Sequence, residues 1–157
     1  MNNAYPSKAQ LLEALRLIQA AILDEEKDAK YYDWLADNVP TNLPAEARDK
    51  IVRILNQNAA DERTHQLLFK AIYHQLTGKQ EPTSETEINP HDNFLDGLED
   101  AIIDETDAVR TYRRIYAAMP NNSYRDQLYS IITDEQRHAA LDNLVYNMIN
   151  HADEQHE

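Results

Sequence analysis

The chain contains no cysteine. Disulfides, thiolate zinc sites, iron–sulfur clusters and thiol catalysis are therefore excluded, and any bound metal must be held by nitrogen and oxygen. Only two glycines occur, Gly78 and Gly97, too few for a turn-rich β protein. Positive charge is scarce as well: 15 Lys and Arg stand against 28 Asp and Glu, for a formal net charge of -13. Such a chain repels nucleic acid and anionic membrane surfaces and attracts cations. Apolar runs are short. The stretch from Leu11 to Leu23 is broken by Glu13, Arg16 and Gln19, and Met1 to Lys8 is polar, so neither a signal peptide nor a bilayer span is expected. A cytoplasmic location follows as the expectation.

What remains is helical periodicity. A chain of 157 residues suits one domain with its own core, taken as 1–157. Four segments carry apolar residues at helical spacing. The first, about 8–38, opens on Ser7 with Gln10 three residues on, a capping-box pattern, and carries Leu11, Leu15, Ile18, Ile22, Ala29, Tyr32 and Ala36. The second, about 44–77, starts at Pro44 and carries Ile51, Leu55, Phe69, Ile72 and Leu76 up to Gly78. The third, about 90–119, carries Leu98, Ile102, Val109, Tyr112 and Tyr116. The fourth, about 124–151, carries Leu128, Ile131, Leu141, Val145 and Ile149 and frays after His151. Short joints at Pro40 and Pro120 predict two antiparallel hairpins, with a longer polar linker, Lys79 to Asn89, between them.

The two hairpins repeat. Ala21-Ile-Leu-Asp-Glu25 matches Ala101-Ile-Ile-Asp-Glu105, an offset of 80 from residue 25 to residue 105. Tyr32 and Tyr112 each follow seven residues after the glutamate. Asp61-Glu62-Arg-Thr-His65 matches Asp134-Glu135-Gln-Arg-His138, an offset of 73 from residue 62 to residue 135. A duplicated hairpin places its motifs about a pseudo-twofold axis.

Six of these residues interrupt apolar stripes near mid-helix. Glu25 falls between Ile22 and Ala29, and Glu105 between Ile102 and Val109. Glu62 and His65, three apart on one face, fall between Leu55 and Phe69, and Glu135 and His138 between Ile131 and Leu141. Ionised carboxylates in a core cost several kcal/mol each unless compensated. Two divalent cations balance four carboxylates with both histidines neutral. Iron, manganese and zinc all suit such ligands. A lone Glu-x-x-His is weak evidence, because such pairs often sit on solvated faces; two of them with two lone stripe glutamates, one set per helix, are hard to explain that way. Glu26 competes with Glu25 locally, but Thr106 stands at the position matching Glu26 in the repeat. His74, His91, His151 and His156 fit no ligand spacing and are expected at the surface.

The order Glu, Glu-x-x-His, Glu, Glu-x-x-His resembles the ferritin-like di-iron carboxylate superfamily, and within it rubrerythrin, over about Gln10 to Asn150. The resemblance implies an all-α, ferritin-like four-helix bundle with a long middle crossover. It implies two metal ions, most often iron, bridged by Glu62 and Glu135. Glu25 and Glu105 would be terminal carboxylates, with His65 and His138 on one metal each. Tyr32 and Tyr112 resemble tyrosines that hydrogen-bond ligand carboxylates, although core packing accounts for them equally. Asp61 and Asp134 would orient the imidazoles or else face water. Activity toward peroxide or dioxygen is implied, with an external electron donor, since no rubredoxin module with its cysteines is present. Ferrous oxidation and metal handling, or a structural role like that of spore-associated relatives, are the other functions such resemblance allows. The sequence departs from rubrerythrin at Ala108, where that family carries an extra glutamate, which puts its peroxidase chemistry in doubt.

Assembly is constrained by length. A ferritin-like order makes helices two and three parallel, so the linker must climb the bundle. A 30-residue helix is about 45 Å long, whereas Lys79 to Asn89 reaches at most about 36–40 Å. The tight fit predicts an early end to helix two or a hairpin exchange, and with it a homodimer.

Overall fold

A computed structural model describes residues 5–81 and 85–154. It consists of four helices: α1 (Lys8–Asp37), α2 (Ala45–Thr77), α3 (Phe94–Ala117) and α4 (Asn122–Glu154). The capping box of α1 is formed. The Gln10 amide donates to Ser7 Oγ at 3.2 Å, and the Ser7 amide donates to Gln10 Oε1 at 2.8 Å. Pro44 sits at the N-cap of α2. Gly78 ends that helix in the left-handed region, φ 68°, where its N–H reaches the His74 carbonyl. Gly97 serves a different need. A Cβ there would meet the Tyr31 hydroxyl at 2.5 Å, so the bare position makes room for that side chain of α1.

The helices form a four-helix bundle in which α1 packs on α2 and α3, and α4 packs on α3 and α2. Side-chain pairs give the directions. Tyr32 meets Glu105 while Tyr112 meets Glu25, so α1 and α3 run antiparallel. Asp61 meets His138 while His65 meets Asp134, so α2 and α4 do the same. The diagonal pair α2 and α3 is therefore parallel, and the chain between them travels along the bundle.

Two apolar clusters fill the interior. One gathers Ile18, Phe69, Ile115 and Leu128 towards one end. The other gathers Leu35, Leu55, Leu98 and Val145 towards the opposite end. Each fully buried large side chain contributes on the order of 1.5–3 kcal/mol. Between the clusters lies a polar layer. One seam of buried positions on α2 runs Ile51, Leu55, Asn58, Glu62, His65, Phe69, Ile72, and one on α4 runs Leu128, Ile131, Glu135, His138, Asp142, Val145, Ile149. Steps of three and four alternate, the seam of packed helices, so the polar residues occupy core positions by register.

Several expected boundaries move. Helix three begins at Phe94 rather than near 90, because the Asn93 side chain caps it, accepting from Leu95 N–H at 2.8 Å. Helix four begins at Asn122, with the Tyr124 amide bonded to Asn121 Oδ1, and continues to Glu154 rather than fraying after His151. On α3 Leu98 and Tyr112 are buried as expected and Ala101 and Ile115 join them, while Tyr116 is exposed and Ile102 and Val109 only half-buried. On α4 the core position falls on Asp142, and Leu141 is half-buried beside it.

The late start of α3 resolves the crossover. Residues 78–93 now connect α2 to α3, sixteen residues in place of eleven. Glu62 lies level with Glu105, and Phe69 packs edge-on against Tyr112. Phe94 is therefore level with Ile51, a climb of 26 residues of α2, or about 39 Å. Sixteen residues reach about 53–58 Å. The crossover runs past α1, where Lys30 Nζ donates to the Thr86 carbonyl at 2.8 Å. One chain can close the bundle and α2 does not end early, so chain length does not require hairpin exchange. Among the described residues, no helix is long and apolar enough to cross a membrane.

Candidate metal centre

The six stripe-breaking residues converge at the middle of the bundle, and all are buried. Each helix delivers its share at one level. Glu25 comes from α1, Glu62 and His65 from α2, Glu105 from α3, and Glu135 and His138 from α4. They form two overlapping groups: Glu25, Glu62, His65 and Glu135, and Glu62, Glu105, Glu135 and His138. Within each group the nitrogen and oxygen atoms lie within 4.8 Å of one another. Glu62 and Glu135 belong to both.

Each imidazole is ringed by three carboxylates, and His65 Nδ1 is hydrogen-bonded to Glu62 Oε2. His65 Nδ1 lies 3.0 Å from Glu135, 3.2 Å from Glu62 and 3.3 Å from Glu25. His138 Nδ1 lies 2.7 Å from Glu62, 3.3 Å from Glu135 and 3.5 Å from Glu105. Yet Glu25 Oε2, Glu62 Oε1, Glu135 Oε1 and His138 Nδ1 make no hydrogen bond of acceptable geometry. Buried polar atoms left without partners are expensive. Atoms that crowd together while failing to bond are what a cation would collect. Oxygen and imidazole donors, two histidines and four carboxylates, fit two divalent ions.

Without a cation the cluster holds itself together with protons. Burial works against charge on both imidazoles, but the carboxylates around them outweigh it and raise both histidine pKa values. Burial pushes Glu62 well up, and Glu135 up to about 8. Glu105 is also penalised by burial, but the neighbouring His138 wins and holds its carboxyl below the ordinary value. Cations would replace those protons.

A second layer of contacts crosses between helices. His65 Nε2 faces Asp134 at 3.3 Å, and His138 Nε2 faces Asp61 at 3.2 Å. Each aspartate serves the histidine of the opposite helix, not the one that follows it in sequence. An Nε2–H given to a carboxylate leaves the Nδ1 lone pair for the centre. Arg137 bonds Asp61 and flanks Asp134 at 3.8 Å, closing the α2–α4 side. Tyr32 donates to Glu105, and Tyr112 donates to Glu25, again across helices. Of the two readings of these tyrosines, core packing and carboxylate bonding, both hold.

Glu26 lies outside the cluster. It pairs with Lys30 at 2.8 Å and accepts from Thr86 and Gln66, so it anchors the crossover. His74, His91 and His151 are exposed, and His156 lies outside the described residues. Two participants escaped sequence reasoning: Asp142 and Asn58, both fully buried and hydrogen-bonded to each other. Their signal was present, since each continues the alternating three–four seam through the Glu-x-x-His motif.

The α1–α3 side is less closed. A cavity of about 120 Å³ there is lined by Asp28, Tyr31, His91 and Asp104 and reaches Tyr32 and Glu105. Burial raises the pKa of Asp28 well above its ordinary value, with Glu25 and Glu105 adding to the effect.

The sequence profile of the Rubrerythrin family matches residues 16–141. The chain belongs to the rubrerythrin family. The uncharacterized protein YhjR of Bacillus subtilis (strain 168) is 30% identical over 125 residues, covering 80% of this chain and 81% of that one. A hypothetical protein from Pyrococcus furiosus is similar in fold, with a TM-score of 0.72 at 19% identity, covering 87% of this chain and 90% of its own. At that identity the likeness shows the fold alone. Together the family and the buried carboxylate–histidine cluster indicate a di-iron-type metal site.

Proposed function

We propose that the protein binds two iron ions in this cluster and carries out redox chemistry on peroxide or dioxygen. In this reading Glu25, Glu62, His65 and Glu135 would hold one ion, and Glu62, Glu105, Glu135 and His138 would hold the other. The observation that carries the reading is that two ligand groups share Glu62 and Glu135 and leave buried atoms without hydrogen-bond partners. A pair of ferrous ions supplies one electron each and a Lewis-acidic template. The chain's own residues do the rest. Asp61 and Asp134 orient the imidazoles, the two tyrosines hold the terminal carboxylates, and the apolar clusters above and below exclude water. The α1–α3 cavity is the approach for a small oxidant. Return to the reduced state requires an external electron donor.

Metal content per chain after expression in iron- and manganese-replete medium is the first test, followed by anaerobic ferrous loading and titration with peroxide. Two tightly held ions per chain and stoichiometric oxidation are expected. Fewer than about one ion per chain would reject the reading.

A second reading, ferrous oxidation for metal handling, draws on the acidic α1–α3 cleft, where Asp24, Asp28, Asp104 and Asp107 gather. Growth of a stable ferric core without added reductant would favour it. Turnover that stops without reductant would favour the first.

A further inference from the structure

The pseudo-twofold repeat is broken beside the cluster. Tyr32 and Tyr112 are repeat mates, and each donates to a terminal glutamate. Their surroundings differ. The Tyr32 hydroxyl also lies 2.6 Å from Asp142 Oδ2. Asp142 Oδ1 accepts from Asn58 Nδ2 at 3.0 Å. On the other half the 73-residue offset puts Phe69 where Asp142 stands, and Ile131 where Asn58 stands. The Phe69 ring packs edge-on against Tyr112 at 4.9 Å. Among the described residues, Tyr112 therefore has one hydrogen-bond partner and Tyr32 has two.

A hydrogen count fixes the direction of the bonds. One hydroxyl hydrogen cannot serve two ionised carboxylates. His138, 3.5 Å from Glu105 Oε1, favours the charged form of Glu105. The second hydrogen then sits on Asp142, whose Oδ1 is the carbonyl oxygen that accepts from Asn58. The chain reads Asn58 to Asp142 to Tyr32 to Glu105, each donating to the next. Such a buried chain is mutually polarised and resists rotation of its end member. Glu25 has no equivalent.

We propose that Asp142 is a positioning residue that makes the two halves of the cluster unequal. Acting through Tyr32, it holds Glu105 ready for a cation, so that the Glu105–His138 position fills before the Glu25–His65 position. This rests on the dinuclear reading above. The direction does not depend on where the proton ends up: a neutral Asp142 orients Glu105, and an ionised one adds negative charge on the same side. Asp28, one turn after Glu25, is half-buried and acts on both Glu25 and Glu105, so it does not single out one position.

Anaerobic titration with Co(II), followed by visible absorption and calorimetry, reads each position. The wild-type chain is expected to bind two equivalents in two steps separated by about tenfold or more in affinity, in the range that such outer contacts control. His65→Gln keeps the tighter step and His138→Gln loses it. Asp142→Leu and Tyr32→Phe weaken the tighter step by about tenfold and spare the other. Tyr112→Phe spares the tighter step. Asp142→Asn keeps it, because an amide donates to Tyr32 in place of the acid. Tyr32→Phe decides the matter if Asp142→Leu does not fold. Equal steps in the wild type, or variants at 142 and 32 that lower both steps alike, would overturn the proposal. Absence of any tight Co(II) binding would instead refute the dinuclear reading itself.

Discussion

His65 of α2 turns its Nε2 towards Asp134 of α4, 3.3 Å away, and not towards Asp61 on its own helix. The pairing ties the two Glu-x-x-His helices together outside the cluster, and it also sets which ring nitrogen faces inward. Asp134→Ala is expected to lower metal affinity about 10–100-fold through His65, without unfolding the bundle. Competition with a chelator measures the loss. An unchanged affinity would mean that packing alone orients the ring.

Stability of the metal-free protein is expected to fall as pH rises from about 5 to about 8. Burial holds Glu135 up at about 8 and Asp142 up at about 7, from ordinary values of 4.5 and 3.8. An acid raised in the folded state binds its proton more tightly there than in the unfolded chain. Its contribution is present at low pH and is lost as pH climbs through the folded-state value. The raised histidines add the same sign above their ordinary 6.5. Each group contributes a slope on the order of 1 kcal/mol per pH unit. Thermal denaturation in a chelating buffer across that range checks it. A divalent metal should reverse the slope, since its ligands must be deprotonated.

Glu62→Gln separates stability from binding. Burial favours the neutral carboxyl of Glu62, which glutamine mimics in shape and charge. The metal-free variant should melt at or above the wild-type temperature. Metal should no longer stabilise it by the wild-type amount, because both ligand groups lose a member. A variant that unfolds without metal would show that Glu62 is needed as an anion in the empty core.

Gly78→Ala tests the end of α2 apart from the centre. Its φ of 68° is strained for any residue with a Cβ, although no atom lies within 4 Å of one. A loss of about 1 kcal/mol is expected, or about 2–4 °C in melting temperature for a chain of this size. Metal stoichiometry should stay at the wild-type value.

Most of the centre was legible because its residues break a simple rule. Glu25, Glu62, His65, Glu105, Glu135 and His138 are ionisable groups at positions that helical spacing assigns to a core, and they occur twice. Asp142 breaks the same rule but occurs once, since its repeat mate is Phe69, so the repeat does not mark it. Leu141 beside it supplied an apolar residue for the stripe and hid the shift by one position. Boundaries were less legible. Pro90 looks like a helix start, but the Asn93 cap sets the true one, and those few residues decided whether one chain could span the crossover.

By itself the sequence determined four amphipathic helices, their pairing into two hairpins and the identity of the polar residues at core positions, because all three follow from spacing along a helix. Only the tertiary structure decided which aspartate serves which histidine, which tyrosine holds which glutamate, and that Asp142 stands behind Tyr32. Those contacts join residues on different helices, from 69 to 110 positions apart. Their pairing depends on how antiparallel helices align, and no local periodicity encodes that alignment.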